Sequence, residues 1–242
     1  MIAGVYGLGR FGSFFSSLLA KGGFDVIAYS RSKHDAPENV RIVSEDEVLS
    51  ADYLFFCVSI RSFESLLERV KDKIGENTVV LDTCSVKTEP EKWMRKHIKK
   101  NEIIPTHPMF GPDSAASGCK GLPFVFCAKD RNSERYLALK KALEPFGFKI
   151  LEMTSLEHDR EAAYSQGVTH FVGRVLDKMN MKDTEIATKG YRTLMQIVSQ
   201  TCNDSLELFY DLQRFNPYAK EMRLSLQFAV EKVLNDLMEN EE

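Results

Sequence analysis

Four short segments constrain the fold of this chain: Ile2-Ala3-Gly4-Val5-Tyr6, Val26-Ile27-Ala28-Tyr29, Tyr53-Leu54-Phe55-Phe56-Cys57-Val58 and Thr78-Val79-Val80-Leu81-Asp82. Each is apolar almost throughout, not at every second residue. An alternating strand can rest one face in water; a continuously apolar strand needs cover on both faces. Helix-like stretches lie between the segments. The expected fold is therefore α/β, a doubly wound parallel sheet with helices on either side. Ile103 to Thr106, Pro123 to Cys127 and Lys149 to Glu152 are weaker strand candidates that carry the pattern to about Met153.

Beyond Met153 the strand signals stop. Thr154-Ser155-Leu156-Glu157 has the form of a capping box, in which the first and fourth residues cap each other's backbone. A helix is expected from there to about Met181, with others near 184–202, 204–215 and 217–239. Asn216-Pro217 supplies the last with a cap and a first-turn proline. The division is thus 1–153 for the α/β domain and 154–242 for an all-helical one. So short a helical domain buries little core alone. It is expected to form a homodimer with a second copy or to pack over the first domain.

Composition removes several classes of function. The 242 residues carry a net charge of −3 without a basic stripe, so nucleic-acid binding has no electrostatic support. Lys96-His97-Ile98-Lys99-Lys100 reads as a helix end, where cations suit the dipole. Five scattered cysteines without a C-x-x-C pair argue against a disulfide framework and a structural metal. No apolar run is long enough for a membrane span. Strand-like sequence starts at Ile2 with no signal or transit segment ahead of it, so the expected location is cytoplasmic, or a plastid if a transit peptide was removed.

Gly7-Leu8-Gly9-Arg10-Phe11-Gly12 follows the first strand directly, with an amphipathic helix expected from about Ser13. In a dinucleotide-binding turn the first glycine permits the bend and the second lets backbone approach a pyrophosphate. The third lets helix pack on strand, and the helix N-terminus supplies positive potential. Residues 1–153 therefore read as a Rossmann domain. An NAD site places Asp or Glu at the end of the second strand for the ribose 2′-hydroxyl. Here Ser30-Arg31-Ser32-Lys33 stands there, and Asp25 precedes the strand. Hydroxyls and a guanidinium suit a 2′-phosphate, so the expected cofactor is NADP. Cys57, Val58 and Ser59 at the end of the third run and Thr83 after the fourth complete the expected cofactor contacts.

Ligands of open parallel sheets bind beyond the C-terminal strand ends. The stretch Asp82-Thr83-Cys84-Ser85-Val86-Lys87 should reach that edge, as should Thr106-His107-Pro108-Met109-Phe110-Gly111-Pro112-Asp113. Pro108 biases His107 toward extended backbone. Ser85 and His107 are then expected to face one crevice beside the nicotinamide. The serine would orient the histidine, which titrates near neutral pH and suits taking a proton as hydride leaves.

With the glycine-rich turn, these segments resemble the prephenate and arogenate dehydrogenases of tyrosine biosynthesis over nearly the whole chain. The resemblance rests on Asp82 to Lys87, on His107 to Asp113 and on Ser165-Gln166-Gly167-Val168-Thr169-His170. Thr188-Lys189-Gly190-Tyr191 and Leu206-Glu207-Leu208-Phe209-Tyr210 look like the plant arogenate type. It implies NADP-dependent oxidative decarboxylation of arogenate to tyrosine. His107 would accept the ring-hydroxyl proton and Ser85 would hold the hydroxyl. Hydride would pass to the cofactor and carbon dioxide would leave. Ser85, His107, Met109, Gly111, Asp113, Gln166, Thr169, His170, Lys189 and Arg192 are the implied substrate contacts.

The chain departs from the family pattern at one point. The family's arginine for the side-chain carboxylate is replaced by Gln196, and Arg192 or Lys189 would take its place. Asp113 would pair with the ammonium group that arogenate has and prephenate lacks. Prephenate remains the alternative substrate. A β-hydroxyacid dehydrogenase is disfavoured because Gly167-Val168-Thr169-His170-Phe171 lacks the lysine that such a helix carries. A non-catalytic NADP-binding sensor or scaffold is the reading from another class, opposed by Ser85 and His107. No metal is expected.

Overall fold

The structure, a computed structural model, describes residues 1–240. Two compact units form, Met1–His158 and Asp159–Glu242. The first is built on an eight-stranded sheet. Its strands are β1 (Ile2–Tyr6), β2 (Asp25–Tyr29), β3 (Val40–Ile42), β4 (Tyr53–Phe56), β5 (Val79–Asp82), β6 (Ile103–Pro108), β7 (Pro123–Phe126) and β8 (Lys149–Glu152). They lie in the order β3-β2-β1-β4-β5-β6-β7-β8. The helices between them are α1 (Arg10–Lys21), α2 (Glu45–Val48), α3 (Ile60–Val70), α4 (Thr88–His97) and α5 (Glu134–Leu143).

Strands β1 to β6 are all parallel, as their continuous apolar character requires. The order reverses at β1, which pairs with β2 on one side and β4 on the other. That reversal opens a crevice at the C-terminal strand ends. Phe15 and Leu19 of α1 are buried with Val5, Phe55 and Leu81 of the sheet. The Phe15 ring meets Phe55 edge-on at 5.3 Å. Burial of one such ring stabilises by roughly 1.5–3 kcal/mol.

Four details differ from the sequence expectation. The sheet is mixed: β7 runs antiparallel to β6, while β8 is parallel to β7. A parallel return needs a crossover, usually a helix, and no helix forms between Pro108 and Pro123. Pro112 and the left-handed Gly118 and Gly121 interrupt that stretch. Second, β6 extends through His107 and Pro108, because β7 offers them partners at Val125 and Phe124. Third, α1 starts at Arg10 and not near Ser13, so Gly12 lies in its first turn. Fourth, β3 is a three-residue edge strand too short to show in the pattern.

The capping box forms as expected. Glu157 N donates to Thr154 Oγ1 at 3.2 Å, and Thr154 N donates to Glu157 Oε2 at 2.8 Å. It starts α6 (Ser155–Ala162). The division between units falls after His158, not Met153, because the first turn of α6 is tied to the sheet unit. Ser155 O accepts from Thr88, and Ser155 Oγ donates to Glu91.

In the second unit a π-turn (Ala163–Gly167) is followed by α7 (Val168–Lys178), α8 (Lys189–Cys202), α9 (Leu206–Phe215) and α10 (Ala219–Glu239). The carbonyl of Gly167 accepts from Gln213 Nε2 at 3.1 Å. Helix α8 begins at Lys189, later than the expected 184, because Thr188 is its cap and accepts from Tyr191 N at 3.2 Å. Gly173 lets α7 approach α8: a Cβ there would lie 2.1 Å from Thr201 Oγ1. Among the described residues, no helix is long and apolar enough to cross a membrane.

Candidate active site

The glycine turn divides its labour among three positions. Gly7 adopts φ +108°, and a Cβ on it would sit 2.4 Å from the Cys57 carbonyl oxygen. A Cβ on Gly12 would lie 1.9 Å from the Gly7 carbonyl oxygen. The fold itself demands both. Gly9 differs, because a Cβ there meets nothing within 4 Å. Its backbone is extended and caps α1 without a side-chain hydrogen bond. The protein has no use for a glycine at this position, whereas a pyrophosphate approaching the helix N-terminus does.

Gly7, Leu8 and Gly9 line a cleft of about 440 Å³ together with Ser30, Arg31, Ser32, Val58 and Ser59. No carboxylate stands at the end of β2. Asp25 opens that strand instead, where Arg41 reaches it at 3.4 Å. The cleft also takes in Tyr6, Ser62 and Arg69, which the sequence did not single out. Arg69 holds Glu45 with two hydrogen bonds of 2.7 and 2.8 Å and donates to the Tyr6 hydroxyl at 2.7 Å. The Arg69 contact is the main reason that the Glu45 carboxyl is pulled down to about 2. With Arg69 engaged by Glu45, Arg31 supplies positive charge beside Ser30 and Ser32.

The remaining expected cofactor residues lie outside the cleft lining. Phe11 stacks on Phe15 at 5.4 Å, Gly12 packs on Gly7, and Lys33 is exposed beyond the turn. Thr83 Oγ1 donates to the Phe56 carbonyl at 3.2 Å and lies 3.5 Å from Cys57 Sγ. Burial pushes that thiol up to about 12, so Cys57 stays protonated at neutral pH. Arg10 turns instead toward Asp113.

At the sheet edge, Lys87 and Asp82 form an ion pair, both fully buried. Lys87 Nζ also donates to the Thr106 carbonyl at 2.5 Å. Asp82 accepts from the backbone N–H of Cys84 at 3.0 Å and of Thr106 at 3.3 Å. This knot joins the ends of β5 and β6 one residue before His107. A spacing of five residues between an Asp and a Lys does not distinguish such a pair from surface charges.

His107 is buried, and its partner differs from the expected one. Its Nδ1 lies 2.9 Å from His158 Nε2. Among the described residues no hydrogen bond joins it to the half-buried Ser85. Ser85 sits on the turn after β5, while His158 comes from the first turn of α6 and meets the imidazole edge-on at 5.1 Å. Burial, then His158, then Lys87 hold His107 well below the usual histidine range. His107 is accordingly a neutral imidazole at neutral pH, the form that can accept a proton. If Nδ1–H donates to His158, the Nε2 lone pair is the accepting position.

The loop after β6 is docked on α1. Phe110 is buried and meets Phe14 edge-on at 6.4 Å. Met109 N donates to the Pro123 carbonyl at 3.0 Å, and Gly111 N to Ser114 Oγ at 2.9 Å. Ser114 therefore caps the turn, and the Asp113 carboxylate faces Arg10. Both its oxygens accept from Arg10 Nη2 at 2.6 Å.

In the second unit His170 is buried, and burial lowers its proton affinity. Its Nδ1 and the Oε1 of Gln166 are buried without hydrogen-bond partners. Thr169 is exposed and donates to the Ser165 carbonyl at 2.9 Å. Lys189 and Arg192 are exposed, with Arg192 4.0 Å from Asp183.

An open face at Gly9 and a neutral histidine at the same sheet edge suit a dehydrogenase that binds a dinucleotide. Residues 18–152 match the nucleotide-binding domain of prephenate dehydrogenase, and residues 175–242 match the TYRAAT1-like C-terminal domain. The chain is 38% identical over 249 residues to arogenate dehydrogenase 2, chloroplastic, of Arabidopsis thaliana, covering 96% of this chain and 69% of that one. It belongs to the prephenate/arogenate dehydrogenase family of oxidoreductases and is similar to the plant enzymes. The fold agrees with the crystal structure of Synechocystis arogenate dehydrogenase, with TM-score 0.72 and 22% identity over 100% of this chain and 93% of that one. It also agrees with A. aeolicus prephenate dehydrogenase in complex with hydroxyphenyl propionate and NAD+, with TM-score 0.72 and 18% identity over 99% and 90%.

Proposed function

We propose that this chain is an NADP-dependent arogenate dehydrogenase that converts arogenate to tyrosine by oxidative decarboxylation. Asp113 carries the choice of substrate. Arogenate ends in an ammonium-bearing carbon and prephenate in a keto acid, so a carboxylate on the loop after His107 favours the first. A hydrogen bond to a charged group contributes about 1.5–3 kcal/mol, tenfold or more in selection. The choice of NADP is supported by Ser30, Arg31 and Ser32 in the cleft and by Asp25 at the far end of β2.

NADP supplies the hydride acceptor when bound. The chain's own residues manage the proton. His107 Nε2 takes the proton of the ring hydroxyl, and His158 holds the imidazole in the accepting tautomer. Ser85 keeps the hydroxyl in place. Such a base contributes about 10²–10⁴-fold. Loss of carbon dioxide and aromatisation of the ring make the step downhill.

A homodimer is part of the same proposal. Helix α10 exposes Leu224, Phe228, Val230, Val233, Leu234 and Leu237, with Phe228 at 70%. That much exposed apolar surface on one helix is matched by a second copy, and light scattering should give twice the chain mass. The chloroplast location in the relative's name supports a plastid, the alternative that the sequence leaves open beside the cytoplasm.

The test is NADPH or NADH absorbance with purified protein across arogenate or prephenate and NADP or NAD. Arogenate with NADP should give the highest kcat/KM. Faster turnover of prephenate removes the role given to Asp113, and preference for NAD removes the role given to Arg31.

A further inference from the structure

We propose that Arg10 and Asp113 together recognise the zwitterionic end of the substrate, with Arg10 taking the carboxylate and Asp113 the ammonium. This rests on the arogenate reading above and assigns the carboxylate clamp that the sequence left open at Gln196. An α-amino acid carries a cation and an anion on one carbon. Its complement is an anion and a cation side by side, and Arg10 Nη2 lies 2.6 Å from both oxygens of Asp113.

The pair is pre-positioned. Arg10 opens α1 at the glycine turn. Asp113 follows His107 by six residues on a loop pinned to α1 by Phe110 and Phe14. Both side chains remain partly open, at 45% and 38%, so a ligand can insert between them. Insertion exchanges one ion pair for alternating ammonium, carboxylate and guanidinium contacts, with no net charge brought into the site. A keto acid inserted there offers a carboxylate to Arg10 but no ammonium to Asp113, so two anions share one guanidinium. The same pair therefore selects for the amino acid twice, by attraction and by repulsion. The position of Arg10 beside the pyrophosphate turn offers the competing assignment, a contact to cofactor phosphate.

Arg10→Ala, Arg10→Lys and Asp113→Asn, assayed as full-length protein, distinguish the two assignments. Arg10→Ala should raise the KM for arogenate about 10–100-fold, the scale of a lost charged hydrogen bond. kcat should hold, since the contact binds ground and transition states alike. The dissociation constant of NADPH, read by fluorescence, should stay within about twofold, and Arg10→Lys should recover part of the loss. Binding of L-tyrosine and of 4-hydroxyphenylpropionate should both weaken in Arg10→Ala, since both carry the carboxylate, whereas Asp113→Asn should weaken L-tyrosine and not 4-hydroxyphenylpropionate, which lacks the ammonium. Loss of NADPH affinity with an unchanged arogenate KM would overturn the proposal and move Arg10 to the cofactor. Wild-type protein that oxidises prephenate and ignores arogenate would instead sink the substrate reading. Tyrosine binding that is the same in wild type and Arg10→Ala would then sink the clamp as well.

Discussion

Replacing Lys87 by Met tests the knot beside His107. Lys87 and Asp82 are both fully buried, so the substitution leaves a carboxylate without its cation in a site closed to water. Breaking such a pair costs about 3–5 kcal/mol. Asp82 keeps two backbone donors, from Cys84 and Thr106, which places the expectation near the lower figure. For a unit of this size a loss near the lower figure corresponds to about 6–12 °C in Tm. Asp82→Asn in the same chain removes the stranded charge and should recover most of the stability. Urea unfolding of wild type, the single variant and the double variant measures all three terms. A cost below about 1 kcal/mol for Lys87→Met, or a double variant as unstable as the single, would refute the reasoning.

Three further outcomes follow from the site. His107 is held below its ordinary value, so the folded state resists its protonation and the unfolded state does not. Its contribution to stability is present above about pH 6.5 and is lost as pH falls from there toward the folded value. In the pH profile of kcat/KM the acid limb should accordingly lie below about 6.5; a limb at or above that value contradicts a neutral, buried base. His158→Leu should lower kcat about tenfold or more with unchanged NADPH affinity, and His158→Asn should restore part through its amide oxygen; equal losses in both variants would make His158 a packing residue only. Gly9→Ala should fold normally and lose NADPH affinity, whereas Gly12→Ala should destabilise the protein, since its Cβ falls on the Gly7 carbonyl. Tm and NADPH titration of the two variants separate these effects, and a Gly9→Ala protein that binds NADPH normally removes the pyrophosphate from that position.

Strands β1, β2, β4 and β5 were legible because covered strands leave a local mark, apolar residues at nearly every position. The reversal at β7 was not, because it follows from a loop that fails to form a crossover helix. Among the candidate-site residues, the glycines, Ser30 to Ser32 and His107 could be proposed from type and position along the chain. His158 could not, since its value lies in meeting a residue 51 positions away. A histidine on an amphipathic helix start looks like any other until the fold closes. Arg69 and Glu45 were hidden for the same reason: each reads as a surface charge, and only the folded chain brings them together at Tyr6. Ser85 shows the reverse case. Its type and strand-end position pointed to the histidine, but the turn after β5 leaves the imidazole to His158.

The central claim is that arogenate loses hydride and carbon dioxide together on this chain. Incubation of the purified protein with arogenate and NADP, with tyrosine measured by chromatography alongside NADPH absorbance and released carbon dioxide, tests it most directly. The account predicts the three products in equal amounts, with turnover nearly abolished in His107→Asn at unchanged NADPH affinity. No tyrosine from arogenate, or a His107→Asn protein as active as wild type, would contradict it.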